Sequence, residues 1–262
     1  MARHRVLVSA HRCGYAELGP DRGLENTLAA LDLAATAGAD YCEFDVRRCA
    51  DGTFVAAHDP DVGAEPVAIR RLSWLEVHER APGVLLLADL LEALSEHGLG
   101  AHVDVKFETA GRAREAGESW EGDLLDLLVA HVDPARIVLT TGRRNATRAM
   151  RRWIDDHGAP VLVGMSVGAS LAGLGWREMA RSIWGQLAPR ARFEDSEADA
   201  IAAHYALAMF RLTRWTTRIG VPLLVWTVDN PRLQRRLLRD HRVWMITTNY
   251  PACAVRLRDG TR

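Results

Sequence analysis

Residues 40–46 read DYCEFDV, and residues 101–107 read AHVDVKF. Both are short, rich in β-branched or aromatic residues, and alternate in polarity as strands do. Because side chains alternate along a strand, Tyr41, Glu43 and Asp45 share one face in the first. Cys42, Phe44 and Val46 share the other. In the second, His102, Asp104 and Lys106 lie opposite Val103, Val105 and Phe107. An apolar face opposite a charged one suits a strand packed under helices, whose polar end points into a barrel. Six further segments have strand character: RVLVSA, RIVLTT, PVLVGMS, ADAIAA, PLLVWTV and VWMITT. ADAIAA is the weakest, because alanine also suits the start of the following helix. Amphipathic stretches such as NTLAALDLAATAG, ADLLEALSEHG, GDLLDLLVAHV and NPRLQRRLLRDH lie between them. Strands alternating with helices imply βαβ units and a parallel sheet. Eight strands in 262 residues predict an α/β fold of the (β/α)8 TIM-barrel type, a single domain over residues 1–262. No GxGxxG or Walker sequence follows a strand, which disfavours an open dinucleotide-binding sheet. The stretch from Trp176 to Asp195 fits neither pattern clearly.

Composition narrows the function classes. Hydrophobic residues make up 48% of the chain, enough for a large core, yet no run approaches the length of a membrane span. The opening MARHRVLVSAH has too short an apolar run for a signal peptide, so a cytoplasmic protein is expected. Net charge is −1 with acids and bases intermixed, which excludes a nucleic-acid role carried by bulk charge. Cys13, Cys42, Cys49 and Cys253 show no CxxC or zinc spacing and read as reduced thiols. Nothing in the sequence specifies an oligomeric state. Of 33 basic residues only Lys106 is lysine, either an accident of an arginine-rich composition or a place that needs a compact ammonium.

Catalytic groups of a barrel sit at the C-terminal ends of its strands. Polar groups there carry a desolvation cost unless they pair or bind something. One carboxylate is adequately explained by a structural ion pair. Glu43, Asp45 and Asp104 from two strands make three hard oxygen donors, a set that suits Mg²⁺ or Ca²⁺. Lys106 can offset their charge or hold a phosphate. His11 ends the first strand and is followed by Arg12; His58 follows the hairpin-like DGTFVAAH and precedes Asp59. Each reads singly as a structural histidine, but two of them flanking a carboxylate cluster can serve as general base and general acid. Glu25 and Asn26 can reach back toward Arg12 and His11. Thr27 reads as a routine helix N-cap.

Taken in order, these residues resemble the glycerophosphodiester phosphodiesterase family. Its pattern runs His-Arg-Gly, Pro-Glu-Asn-Thr, Glu-x-Asp-Val, Asp-Gly, His-Asp, Glu-x-Lys, Trp-Thr-Val and Thr-Asp-x-Pro. The chain carries His11-Arg12, Glu25-Asn26-Thr27, Glu43-Phe44-Asp45-Val46, Asp51-Gly52, His58-Asp59, Asp104-Val105-Lys106, Trp226-Thr227-Val228 and Thr248-Asn249-Tyr250-Pro251. The resemblance implies metal-dependent hydrolysis of a small-molecule phosphodiester to glycerol 3-phosphate and an alcohol. By the same resemblance, His11 and His58 are the acid–base pair and Glu43, Asp45 and Asp104 hold a divalent cation, Mg²⁺ or Ca²⁺. Arg12 and Lys106 bind the phosphate, Trp226 faces the alcohol, and Glu25, Asn26 and Asp59 support them. The glycerol 2-hydroxyl then attacks phosphorus, giving a cyclic phosphate that water opens.

The chain departs from the pattern at Cys13 (for Gly), Leu24 (for Pro), Asp104 (for Glu) and Asn249 (for Asp), and a longer loop, YAELGPDRG, precedes Glu25. Two alternatives stand beside the main reading. One is a lysophospholipase D or sphingomyelinase D-like activity, with peripheral lipid contact through a rim bearing Trp74, Trp120, Trp176 and Trp184. The other is a non-catalytic barrel that binds a phosphorylated ligand.

Overall fold

The computed structural model describes residues 5–107, 119–168 and 189–260. Eight parallel strands close into a barrel surrounded by helices, the (β/α)8 TIM-barrel architecture expected from the sequence. In chain order they are β1 (Leu7–Ala10), β2 (Tyr41–Arg48), β3 (Gly100–Val105), β4 (Ile137–Thr141), β5 (Leu162–Val167), β6 (Ala200–His204), β7 (Leu223–Trp226) and β8 (Met245–Thr248). Each pairs with its neighbour, and β1 pairs with both β2 and β8 to close the ring. All eight segments singled out from the sequence are barrel strands. ADAIAA is among them: its alanines are buried against neighbouring strands, where small size outweighs low β-propensity. Residues 169–188, which include most of the stretch that fitted neither pattern, lie outside the described residues.

The alternation read from DYCEFDV holds. Cys42, Phe44 and Val46 are fully buried with Val103 and Val105 in the layer between barrel and helices. Tyr41 turns inward with Val138, Ala202, Leu224 and Met245 to fill the lower barrel. Its ring lies over Gly100, where an added Cβ would fall 2.4 Å from the ring carbons. A side chain there would evict the tyrosine. Above this apolar layer the interior turns polar, with Ser9, His102, Thr140 and Thr247 all buried. Ser9 Oγ and Thr140 Oγ1 hydrogen-bond the two ring nitrogens of His102 at 3.0 and 3.2 Å. They satisfy an imidazole that burial drives down to about 3.

β2 runs beyond the barrel rim and folds back. Phe54–Ala56 pairs antiparallel with it, Val46 opposite Ala56 and Arg48 opposite Phe54. The turn is closed by Cys49 N–H donating to Thr53 O (2.8 Å), with Gly52 at φ +97°. Asp51 accepts from Thr53 N and Trp74 N. The Asp51-Gly52 motif therefore shapes the turn, and the returning chain delivers His58 over the barrel mouth. No helix among the described residues is long and apolar enough to cross a membrane.

Candidate active site

The register of β2 on β3 sets Glu43 beside His102 and Asp45 beside Asp104. Three carboxylates thus meet: ligand oxygens of Glu43, Asp45 and Asp104 all lie within 4.8 Å of one another. Like charges this close, partly desolvated, cannot all ionise freely. Burial, then the neighbouring Asp45 and Asp104, push the Glu43 carboxyl well above the usual range. Burial pushes Asp104 up as well, against the pull of Lys106. Burial also works upward on Asp45, but the Lys106 ammonium outweighs it and holds Asp45 low. Lys106 Nζ sits 2.9 Å from Asp45 and 2.6 Å from Asp104. The one lysine of the chain is a point charge fitted between two carboxylates, a role a planar guanidinium cannot copy.

The chain after β1 is bent by left-handed backbone. Arg12 and Cys13 have φ of +48° and +63°, and Asn26, whose N–H donates to Arg12 O, has φ of +57°. Positive φ costs an L-residue roughly 1–2 kcal/mol each, and such strain gathers at functional sites. Here it turns the Arg12 N–H onto Glu43 Oε2 (2.7 Å). Cys13, where the family has Gly, bears this strain while its side chain fills the core beneath. The Arg12 guanidinium donates to Glu25 Oε1 (2.7 Å) and brings Nε to 3.6 Å from Asp45. Arg12 Nε itself is buried without a hydrogen-bond partner. A buried donor left open beside the cavity suits an acceptor oxygen brought by a ligand. Asn26 Nδ2 donates to Asp45, and Asn26 Oδ1 accepts from Asp45 N–H, both at 3.3 Å. Thr27 caps the helix Leu28–Thr36 by accepting from Ala30 N–H, as read from the sequence.

His11 Nδ1 lies 2.7 Å from Asn249 Oδ1, and Nε2 lies 3.9 Å from Glu43. Burial, then Arg12, lowers its pKa to about 4. The imidazole is neutral near pH 7, with a lone pair to offer. His58 is half-exposed and its Nδ1 lies 2.8 Å from Asp59 Oδ1. That contact, foremost, holds the Asp59 carboxyl low. The longer loop supplies Arg22, which binds Glu25 (2.9 Å) and approaches Asp59 (3.6 Å).

A cavity of about 710 Å³ gathers His11, Arg12, Glu43, Asp45, His58, Asp104, Lys106 and Trp226. Glu25, Asn26 and Asp59 stand behind them. Trp226 meets His204 edge-on, ring centroids 5.4 Å apart. The sequence reading missed Arg47, Arg143 and Arg192, which also line the cavity. Arg47 and Arg192 donate to the backbone carbonyls of His58 and Gly142, so neither spends its charge on a carboxylate in that bond. In an arginine-rich chain nothing marked them out. Asp229, which holds Asn249, was missed too, because Asp229-Asn230-Pro231 reads as an ordinary helix start. Of the tryptophans suggested for a lipid-facing rim, Trp74 packs beside His78 and Trp120 lies under Arg48. Trp176 and Trp184 lie outside the described residues.

Among solved structures, the chain is similar to a glycerophosphodiester phosphodiesterase from Thermotoga maritima, at 21% identity and TM-score 0.67, covering 97% of this chain and 99% of that one. It is also similar to a phosphodiesterase from Oleispira antarctica in complex with the product sn-glycerol-3-phosphate, at 18% identity and TM-score 0.71, covering 98% of each chain. A third likeness is to a glycerophosphoryl diester phosphodiesterase, so described provisionally, from Silicibacter pomeroyi, at 20% identity and TM-score 0.71, covering 97% of this chain and 93% of that one. At these identities the likeness shows the shared fold. No curated protein matches the sequence significantly. The model of the glycerophosphoryl diester phosphodiesterase family matches residues 11–253, from the first histidine of the site to the helix after β8. The chain therefore belongs to the glycerophosphoryl diester phosphodiesterase family and is a phosphoric diester hydrolase.

Proposed function

We propose that the protein hydrolyses glycerophosphodiesters to glycerol 3-phosphate and an alcohol, with a divalent cation, Mg²⁺ or Ca²⁺, at Glu43, Asp45 and Asp104. The observation that carries this reading is three carboxylates within 4.8 Å of one another in a cavity that His11 and His58 also line. The donor set fits such an ion: all its atoms are hard carboxylate oxygens, and the raised Glu43 carboxyl marks negative charge in need of a counter-charge. When bound, the ion would supply positive charge to phosphoryl oxygens as charge builds on them.

The protein's own groups supply the rest. Arg12 Nε offers its open donor to a phosphoryl oxygen, and Lys106 adds a second cation. Arg47 and Arg192 bias the cavity toward anions. His11 Nε2 takes the proton of the glycerol 2-hydroxyl as its oxygen bonds to phosphorus. His58 gives a proton to the departing alkoxide as the other P–O bond breaks. With the roles reversed, His58 deprotonates the water that opens the cyclic phosphate, and His11 returns its proton to the 2-oxygen. Trp226 lies against the alcohol.

The test is a screen of glycerophosphocholine, glycerophosphoethanolamine, glycerophosphoinositol and lysophospholipids. It is run after EDTA treatment and again with Mg²⁺ or Ca²⁺ restored. Release of glycerol 3-phosphate only when metal is present is expected. Turnover indifferent to EDTA, exclusive cleavage of lysophospholipids, or no turnover on any diester would overturn the reading.

A further inference from the structure

Between β8 and its helix, Asn249 stands where the family carries aspartate, and its contacts form a fully determined chain. Its backbone N–H and its side-chain Nδ2 donate to the two carboxylate oxygens of Asp229, at 2.9 and 2.7 Å. Asp229 is itself held. Thr248 Oγ1 accepts from Gln234 Nε2 (2.9 Å) and from Tyr250 N–H (3.1 Å), so its own proton is free for Asp229, 3.2 Å away. The Gln234 side chain is fully buried and also donates to Val228 O.

This chain decides a proton position that coordinates alone never show. A flipped Asn249 amide would press its oxygen against a carboxylate oxygen at hydrogen-bond distance, so the nitrogen must face Asp229. The Asn249 oxygen therefore faces His11 Nδ1, 2.7 Å away. An amide oxygen only accepts, so Nδ1 must carry the hydrogen. Nε2 is then left with its lone pair on the cavity side, where Glu43 lies 3.9 Å off.

We infer that Asn249 is a positioning residue: with its amide oriented by Asp229, it locks His11 as the Nδ1–H tautomer and presents Nε2 as the acceptor in the cavity. Histidine free in water favours the opposite tautomer, so the lock has a measurable signature. An aspartate at 249 would set two carboxylates against each other, which makes Asn249 the partner matched to Asp229. The catalytic meaning of the lock rests on the proposed phosphodiesterase reading; the tautomer itself does not.

Long-range ¹H–¹⁵N spectra of the full-length protein, with the His11 signal assigned by its loss in His11→Asn, read the tautomer directly. In the wild type at neutral pH the Nδ1–H form is expected. Asn249→Ala and Asp229→Ala should each shift His11 toward Nε2–H. In the same variants kcat on a glycerophosphodiester should fall by about 10- to 100-fold, part of what a general base contributes, with KM changed less than threefold. A wild-type His11 in the Nε2–H form overturns the inference, whether or not the variants fold. So does an Nδ1–H form that survives Asn249→Ala. If the tautomer is as expected but no diester is turned over, the lock stands and the proposed function falls.

Discussion

Two of the histidines that line the cavity, His11 and His58, differ in their surroundings. His11 is partly buried, its Nδ1 faces a neutral amide, and desolvation holds its pKa near 4. His58 stands half-exposed at the rim, and its Nδ1 faces the carboxylate of Asp59 at 2.8 Å. A neutral partner and burial favour an uncharged ring that accepts a proton. The Asp59 carboxylate instead gives His58 an acceptor for an Nδ1 hydrogen. Under the proposed function, this difference suits His11 to the base's role and His58 to the acid's.

The largest effect should come from removing either ring. His11→Ala and His58→Ala should each lower kcat by about 10²- to 10⁴-fold without unfolding the protein. The leaving group separates them. The p-nitrophenyl ester of glycerol phosphate has a leaving group that needs no protonation. In a single turnover of this ester, His58→Ala should recover most of its rate of p-nitrophenol release and His11→Ala should not. The water-activating role of His58 comes only after that release. Equal recovery would erase the distinction between base and acid. A subtler change is Asp59→Asn, which gives His58 the kind of partner His11 already has. Loss of the carboxylate should slow single-turnover release of an alkyl alcohol by roughly tenfold and leave release of p-nitrophenol nearly untouched, because only the proton-donating role of His58 loses its partner. Single-turnover release of the two alcohols decides it.

The smallest effect isolates burial from catalysis. His102, held between Ser9 and Thr140, has a folded pKa lowered by burial from 6.5 to about 3. The unfolded chain binds this proton more tightly. Stability from the neutral ring is therefore complete above pH 6.5 and is lost as pH falls toward 3, by about 1.4 kcal/mol per pH unit. Chemical unfolding of EDTA-treated protein between pH 6 and pH 4 should show this slope reduced by that amount in His102→Asn. Identical slopes would mean that burial alone does not keep an interior ring neutral.

Much of this was legible in the chain because two periodicities carry it. The two-residue repeat in DYCEFDV and AHVDVKF sorted Glu43, Asp45 and Asp104 onto the inner face, and the register of β2 on β3 brings them together. The hairpin that returns His58 was legible too, in DGTFVAAH. What repeat length cannot reveal is contact between distant loops. Asn249 looked like a departure from a motif and Asp229 was not singled out at all, and only the barrel's closure brings them to His11. The arginines of the cavity were hidden differently, since 32 of the chain's residues are of that type.

The seam between β1 and β8 joins Ala10 to Thr248 in register and places Asn249 against a histidine 238 positions earlier in the chain. All three clustered carboxylates and both histidines are synthesised within the first 104 residues. A nascent chain lacking its last strand lacks the Asn249 amide that faces His11. On the proposed reading, full activity awaits the final stave.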